Sequence, residues 1–133
     1  MKVFVPSVIA LSLMAGSGLA RVSLSEDAHI NNSLLAAAVG DEIRKNCDDI
    51  SARMLTVFTK GKALEKYALN LGYTDDELKE FLESKTERKR MKALRDSYLK
   101  NGGVVKGDSA TYCKLGQKEI AADSLTGQLL RSR

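Results

Sequence analysis

A chain of 133 residues, 44% hydrophobic and 29% charged, has room for one globular domain and is too apolar for a disordered polar tract. One proline, no tryptophan and 5% aromatic residues leave little material for a strand-rich fold or for base-stacking surfaces. The formal net charge of +4 is too mild to name a polyanionic partner.

Residues 1–20 have the layout of a cleavable export signal. Lys2 and the amino terminus form a positive start, Val3 to Ala15 is mainly apolar, and Gly18 and Ala20 put small side chains three and one positions before a cut after Ala20. The apolar run is too short to cross a bilayer as a helix. Residues 21–133 contain no longer one, so after cleavage the chain is not expected to span a membrane. The setting would be periplasmic in a Gram-negative cell and secreted otherwise. Cys47 and Cys113 are the two cysteines, and in an oxidising compartment such a pair reads as a structural disulfide. Free buried thiols or a redox pair are the alternatives, and the Cys-x-x-Cys spacing of the latter is absent.

In chain order, residues 21–32 read as a polar, loosely ordered arm holding His29. Ser33 is placed to cap a short helix, Leu34 to Val39, closed by Gly40. Ile43, Cys47, Ile50, Met54, Val57, Gly61, Leu64, Ala68 and Leu71 alternate steps of four and three, which puts them on one helical stripe. The expectation is a long helix over about 41–71, continuous through Gly61 or joined there from two pieces. Thr74 begins the next helix with Asp75, Asp76 and Glu77 in its first turn, a capping box with a Tyr73–Leu78 staple. Capping explains those acids better than calcium binding, since the alternating ligands and central glycine of a calcium loop are missing.

The apolar phase shifts near Ser84-Lys85-Thr86, so the chain bends or restarts there. Asn101-Gly102-Gly103 ends that segment, Asp108 or Ser109 caps a further helix bearing Tyr112, Cys113, Gly116 and Ile120, and a last short helix is predicted from Asp123 or Ser124. The fold class is therefore all-α: a compact array of four or five helices with one long central helix, stapled by a Cys47–Cys113 disulfide. Gly116, one turn beyond Cys113, allows close backbone approach.

No catalytic, metal or cofactor constellation stands out. A single histidine with both cysteines committed cannot build a usual zinc site or a Cys-His nucleophile. Asp48, Asp49, Glu119 and Asp123 could supply an acid–base pair only if two converged in a cleft. Residues 85–100 carry seven cations against two anions, and Arg88, Lys89, Lys92 and Arg95 form a candidate surface for an anionic protein or envelope partner, though a solvated outer face explains them as simply. Nucleic acid is a poor candidate for an exported chain.

Tyr112-Cys113-Lys114-Leu115-Gly116 with Glu119-Ile120, Cys47 with Ile50-Ser51-Ala52-Arg53-Met54, and Gly72-Tyr73-Thr74 together resemble a small family of exported alphaproteobacterial proteins of unknown function. The resemblance implies a periplasmic setting and carries no substrate or active site. The sequence thus points to a non-enzymatic helical protein that binds another protein or an envelope component, with a carrier of a small apolar ligand as the alternative. An adapter calls for a filled core and an exposed apolar patch, a carrier for an internal pocket of roughly 300 Å³ or more.

Overall fold

The computed structural model describes residues 21–133; the export leader expected at residues 1–20 lies outside them. Five helices follow in order: α1 (Ala28–Asn46), α2 (Met54–Asn70), α3 (Asp75–Glu83), α4 (Lys85–Asn101) and α5 (Ser109–Ala121). A short strand β1 (Ile50–Ala52) lies between α1 and α2, and a 3-10 turn at Gly127–Leu129 leads into β2 (Leu130–Ser132). The strands pair antiparallel, Ile50 opposite Ser132 and Ala52 opposite Leu130, which brings the C-terminal end back beside the end of α1.

Helix starts follow side-chain capping. Asp27 accepts from the Ile30 N–H at 2.9 Å to begin α1, Thr74 from the Glu77 N–H at 3.2 Å to begin α3, Ser84 from the Glu87 N–H at 3.3 Å to begin α4, and Asp108 from the Ala110 N–H at 3.2 Å to begin α5. In the box at α3, Glu77 Oε1 accepts a hydrogen bond from the Thr74 hydroxyl at 3.4 Å.

The main core joins α1, α4, α5 and both strands. Val39, Ile43, Cys47, Ile50, Leu99, Tyr112, Leu115 and Leu130 are buried together there. Cys47 and Cys113 are bonded, with their Cα atoms 5.2 Å apart. Beside the bridge, Gly116 presses its bare backbone against α1 and β1: a Cβ there would stand 2.3 Å from Ile50 Cδ1 and 2.8 Å from Ile43 Cγ2. A smaller cluster of Leu24, Ile30 and Ala68 lies between α1 and α2, with Leu64, Tyr73, Leu78 and Phe81 half-buried around it.

Three expectations need correction. Residues 21–32 are no loose arm: Leu24 and Ile30 are buried, α1 begins at Ala28, and the Arg21 guanidinium donates to the Gly72 carbonyl at 2.6 Å, pairs with Glu77 at 3.2 Å and lies 4.4 Å over the Tyr73 ring. Ser33 and Gly40 therefore fall inside α1 rather than at the ends of a separate helix. The stripe from Ile43 to Leu71 is not one helix either. The chain turns extended at Cys47 (φ −138°, ψ 108°) and gives β1 before α2 begins, so the break falls at the bridge while α2 runs unbroken through Gly61. Asn46, Asp48 and Asp49 are poor helix formers, and the disulfide and β2 hold the extended form. The expected last helix is reduced to the 3-10 turn followed by β2.

Two outcomes test this core. Replacing both Cys47 and Cys113 by serine should lower the free energy of urea unfolding by about 2–4 kcal/mol, and the oxidised protein should take up no thiol label before reduction. Gly116→Ala should cost about 1–3 kcal/mol in the same unfolding measurement, because the fully buried Ile43 and Ile50 have no room to yield.

Candidate functional site

The two layers of the fold differ in how well they are filled. Of the seventeen residues of α2 only Ala68 is buried, and α3 buries none, although both helices are rich in apolar side chains. The apolar faces of α1, α2 and α3 do not close on one another. They leave a groove of about 460 Å³ walled by Leu24, Ile30 and Leu34 from the N-terminal segment and α1, Leu64 and Ala68 from α2, and Leu78, Phe81 and Leu82 from α3. A second compartment of about 310 Å³ adjoins it on the side of Val57, Leu125 and Leu129. Leu34, Gly61 and Leu64 line both.

Gly61 is the residue that chain packing does not account for. It sits within a regular helix, where glycine costs roughly 1 kcal/mol relative to alanine. Its backbone needs no left-handed conformation, and a Cβ built on it would meet nothing within 4 Å. Gly116 shows the contrasting case, a glycine required by its neighbours. The missing side chain at Gly61 widens the groove at the junction of its two compartments.

Other large apolar residues stand exposed at the start of α2. Met54 is 68%, Leu55 80% and Phe58 63% exposed, three large apolar residues within the first five positions of that helix. Leu82, on the groove wall, is 54% exposed, so the groove is open to solvent rather than sealed as an internal cavity.

The groove is edged by charge. Glu65, Asp75 and Glu83 line it together with Lys79. Glu65 pairs with Lys62 at 3.4 Å, and neither Asp75 nor Glu83 has an ion-pair partner among the described residues.

The residues singled out in the sequence are dispersed. Arg88, Lys89 and Lys92 stand exposed on α4, while Arg95 is half-buried and pairs with Glu42 at 3.2 Å and Asp96 at 3.0 Å. Arg88 Nε donates to the Leu82 carbonyl at 3.1 Å. His29 is exposed with its ring edge-on to Tyr67, centroids 4.5 Å apart. Among the described residues, the one group of His, Cys, Asp and Glu close enough to share an ion is Cys47, Asp49 and Cys113. Two sulfurs bonded to each other have no thiolate to offer, which leaves Asp49 as the sole anionic donor of the three.

Of the four carboxylates considered for acid–base work, Asp48, Asp49 and Asp123 are exposed and Glu119 is buried. Glu119 Oε1 accepts the Tyr98 hydroxyl at 2.6 Å, and Oε2 accepts the Ser124 hydroxyl. Ser124 Oγ in turn accepts from the Gly127 N–H at 2.9 Å. The carboxylate therefore serves as a fastening between α4, α5 and the C-terminal turn. Sequence reasoning found Glu119 without this role, since neither hydroxyl partner is near it in a recognisable motif.

Accepting from Tyr98 gives Glu119 a hold on that phenol, and the hydrogen bond, burial and the carboxylate's charge push the Tyr98 pKa up to about 12. A raised pKa means the folded state favours the neutral phenol. This contribution is complete below the ordinary tyrosine value near 10 and is lost as the pH climbs through about 12. Absorbance titration at 295 nm should accordingly show a tyrosine step near pH 12 that Tyr98→Phe removes.

A family model described as a family of unknown function, DUF5333, matches residues 22–131. No curated protein and no solved structure matches the chain. The match takes in all five helices, β1, the first two residues of β2 and the bridge, and the chain belongs to this family of unknown function.

Proposed function

We propose that this is an exported, non-catalytic binding protein of the cell envelope, periplasmic in an alphaproteobacterial cell, whose α1–α2–α3 groove seats an apolar segment of another protein. The observation that carries the reading is the conjunction at Gly61. An apolar groove runs past a helical glycine that no turn and no neighbour requires. A glycine at such a place lets a second backbone come close to α2.

The setting is supported by the leader pattern at residues 1–20 and by the closed disulfide, which belongs to oxidising compartments. A partner segment is favoured over a small molecule because the apolar surface is elongated and open. The groove and its second compartment together follow α2 from Val57 to Ala68, and Leu82 on the groove wall is 54% exposed. The exposed cations Arg88, Lys89 and Lys92 would be a second contact, orienting the protein towards an anionic envelope surface.

The alternative, a carrier of a small apolar ligand, is favoured by one observation: about 460 Å³ falls within the range of ligand pockets. The two readings separate by the mass of what is captured. A photocrosslinking residue placed at Leu82 on the groove wall should give adducts of protein mass in cells, and Gly61→Leu should remove them. Adducts of lipid or metabolite mass would establish the carrier instead, and protein adducts unaffected by Gly61→Leu would sink the groove reading.

Folding supplies the control. Gly61→Ala should raise unfolding free energy by roughly 0.5–1 kcal/mol, because its methyl enters open space and strengthens the helix. Opposite signs for stability and capture at this position would distinguish a binding defect from a folding defect.

A further inference from the structure

The charges around the groove say what kind of segment fits it. The chain as a whole has a net charge of +4, yet α3, which forms one wall, carries Asp75, Asp76, Glu77, Glu80 and Glu83 against Lys79 alone. Asp75 and Glu83 stand at its two ends, both line the groove, and neither is neutralised by an ion pair among the described residues. Across the groove Glu65 of α2 adds a third carboxylate, engaged only with exposed Lys62 at 3.4 Å. The apolar lining between them includes Leu24, Ile30 and Leu34, with Gly61 on the α2 side.

This is an apolar trough edged by three carboxylates against one cation, Lys79. We infer that its occupant is a cationic amphipathic helix of a partner protein, its apolar stripe lying over Gly61 and its lysines or arginines meeting Glu65, Asp75 and Glu83. The inference rests on the groove reading and adds the chemistry of the partner.

A helix satisfies the groove where an extended strand does not. The walls are helices, whose backbone groups are already paired, so a strand would find no edge to hydrogen-bond. A helix brings its own backbone bonds and presents apolar residues at three- and four-residue spacing, which suits a groove that with its second compartment follows α2 from Val57 to Ala68, about 17 Å of helix axis. Cations flanking that stripe would supply the charges that Asp75 and Glu83 lack, and would speed and orient docking. A second copy of this chain does not provide the segment. Its own basic helix, α4, already packs along α1 and buries Leu99 there.

The test uses the purified oxidised protein and two synthetic helical peptides of about 18 residues, long enough to span α2. Both have the same leucine stripe; one has lysine and the other glutamate at every remaining charged position. Fluorescence anisotropy should show the lysine peptide binding at least about tenfold more tightly than the glutamate peptide, as two or three surface ion pairs would give. The preference should shrink as salt rises. Gly61→Leu should remove binding of the lysine peptide, and Glu65→Lys with Glu83→Lys should reverse the preference without changing the circular dichroism spectrum.

Equal affinity for the two peptides, lost in Gly61→Leu, would overturn the cationic partner while leaving the groove as the binding site. Lysine-peptide binding that survives Gly61→Leu would place the attraction elsewhere on the surface and overturn the inference. Failure of both peptides to bind would overturn it as well, with the crosslinking from Leu82 deciding the groove separately.

Discussion

The Cys47–Cys113 bond and the glycine beside it determine how the rest of the chain can lie. Joining these residues holds the end of α1 against the middle of α5. It does so at the place where Gly116 allows Ile43 and Ile50 to approach closer than any side chain would permit. Beside that contact α1 does not continue past Cys47. The chain turns extended instead, and the three residues of β1 find β2 as their partner. The disulfide is thus more than a loop closure of the unfolded chain. It stands at the corner where helix gives way to strand, and the largest fully buried side chains, Ile43, Ile50 and Val39, surround it.

That corner also explains why the molecule has a filled side and an open one. Around the bridge every direction is occupied: α4 covers α1, α5 crosses it, and the C-terminal turn is fastened through Ser124 and Glu119. No buried polar side-chain atom among the described residues lacks a partner. Leaving β1, the chain directs α2 outward along the other flank of α1, where it meets only the N-terminal segment, α3 and the 3-10 turn. Polar contacts join the apolar cluster around Ala68 in holding α2 and α3. Tyr67 donates to Asp27 at 3.0 Å, Arg21 reaches Gly72 and Glu77, and Lys60 donates to Gln128 at 2.6 Å.

Much of this was legible in the residues, and the parts that were not fail for identifiable reasons. Capping at Thr74, Ser84 and Asp108 depends on side chains a few positions away and could be read locally. The bridge followed from two cysteines and a setting. The break at Cys47 could not be read, because Ile50 keeps the helical phase by coincidence: the residue a three-residue strand turns inward happens to lie where a helix would also have placed it. Strands that short show no alternation, and their pairing links positions some eighty residues apart. Residues 21–32 looked polar because only Leu24 and Ile30 carry their packing, and the cation that pins them, Arg21, finds its partners around Gly72. At the groove, the sequence marked Gly61 as an anomaly in a helical stripe. Whether the space beside it was filled depended on where α3 came to rest, which no local pattern records.

If the groove is occupied as proposed, the same arrangement couples binding to the stability of one layer. Surface that an occupant would cover in the groove is apolar surface the chain does not cover for itself, and α2 and α3 gain little from their own burial. Segments with few buried contacts open locally at a smaller free-energy cost than the core that supports them. An occupant bridging α1, α2 and α3 binds only when all three are in place, so it adds its binding free energy to the stability of that layer. The core around Cys47 needs no such help. It is braced by the Cys47–Cys113 bond, whereas the two helices α2 and α3 together bury only Ala68, so the free energy an occupant supplied would fall on the layer with least of its own.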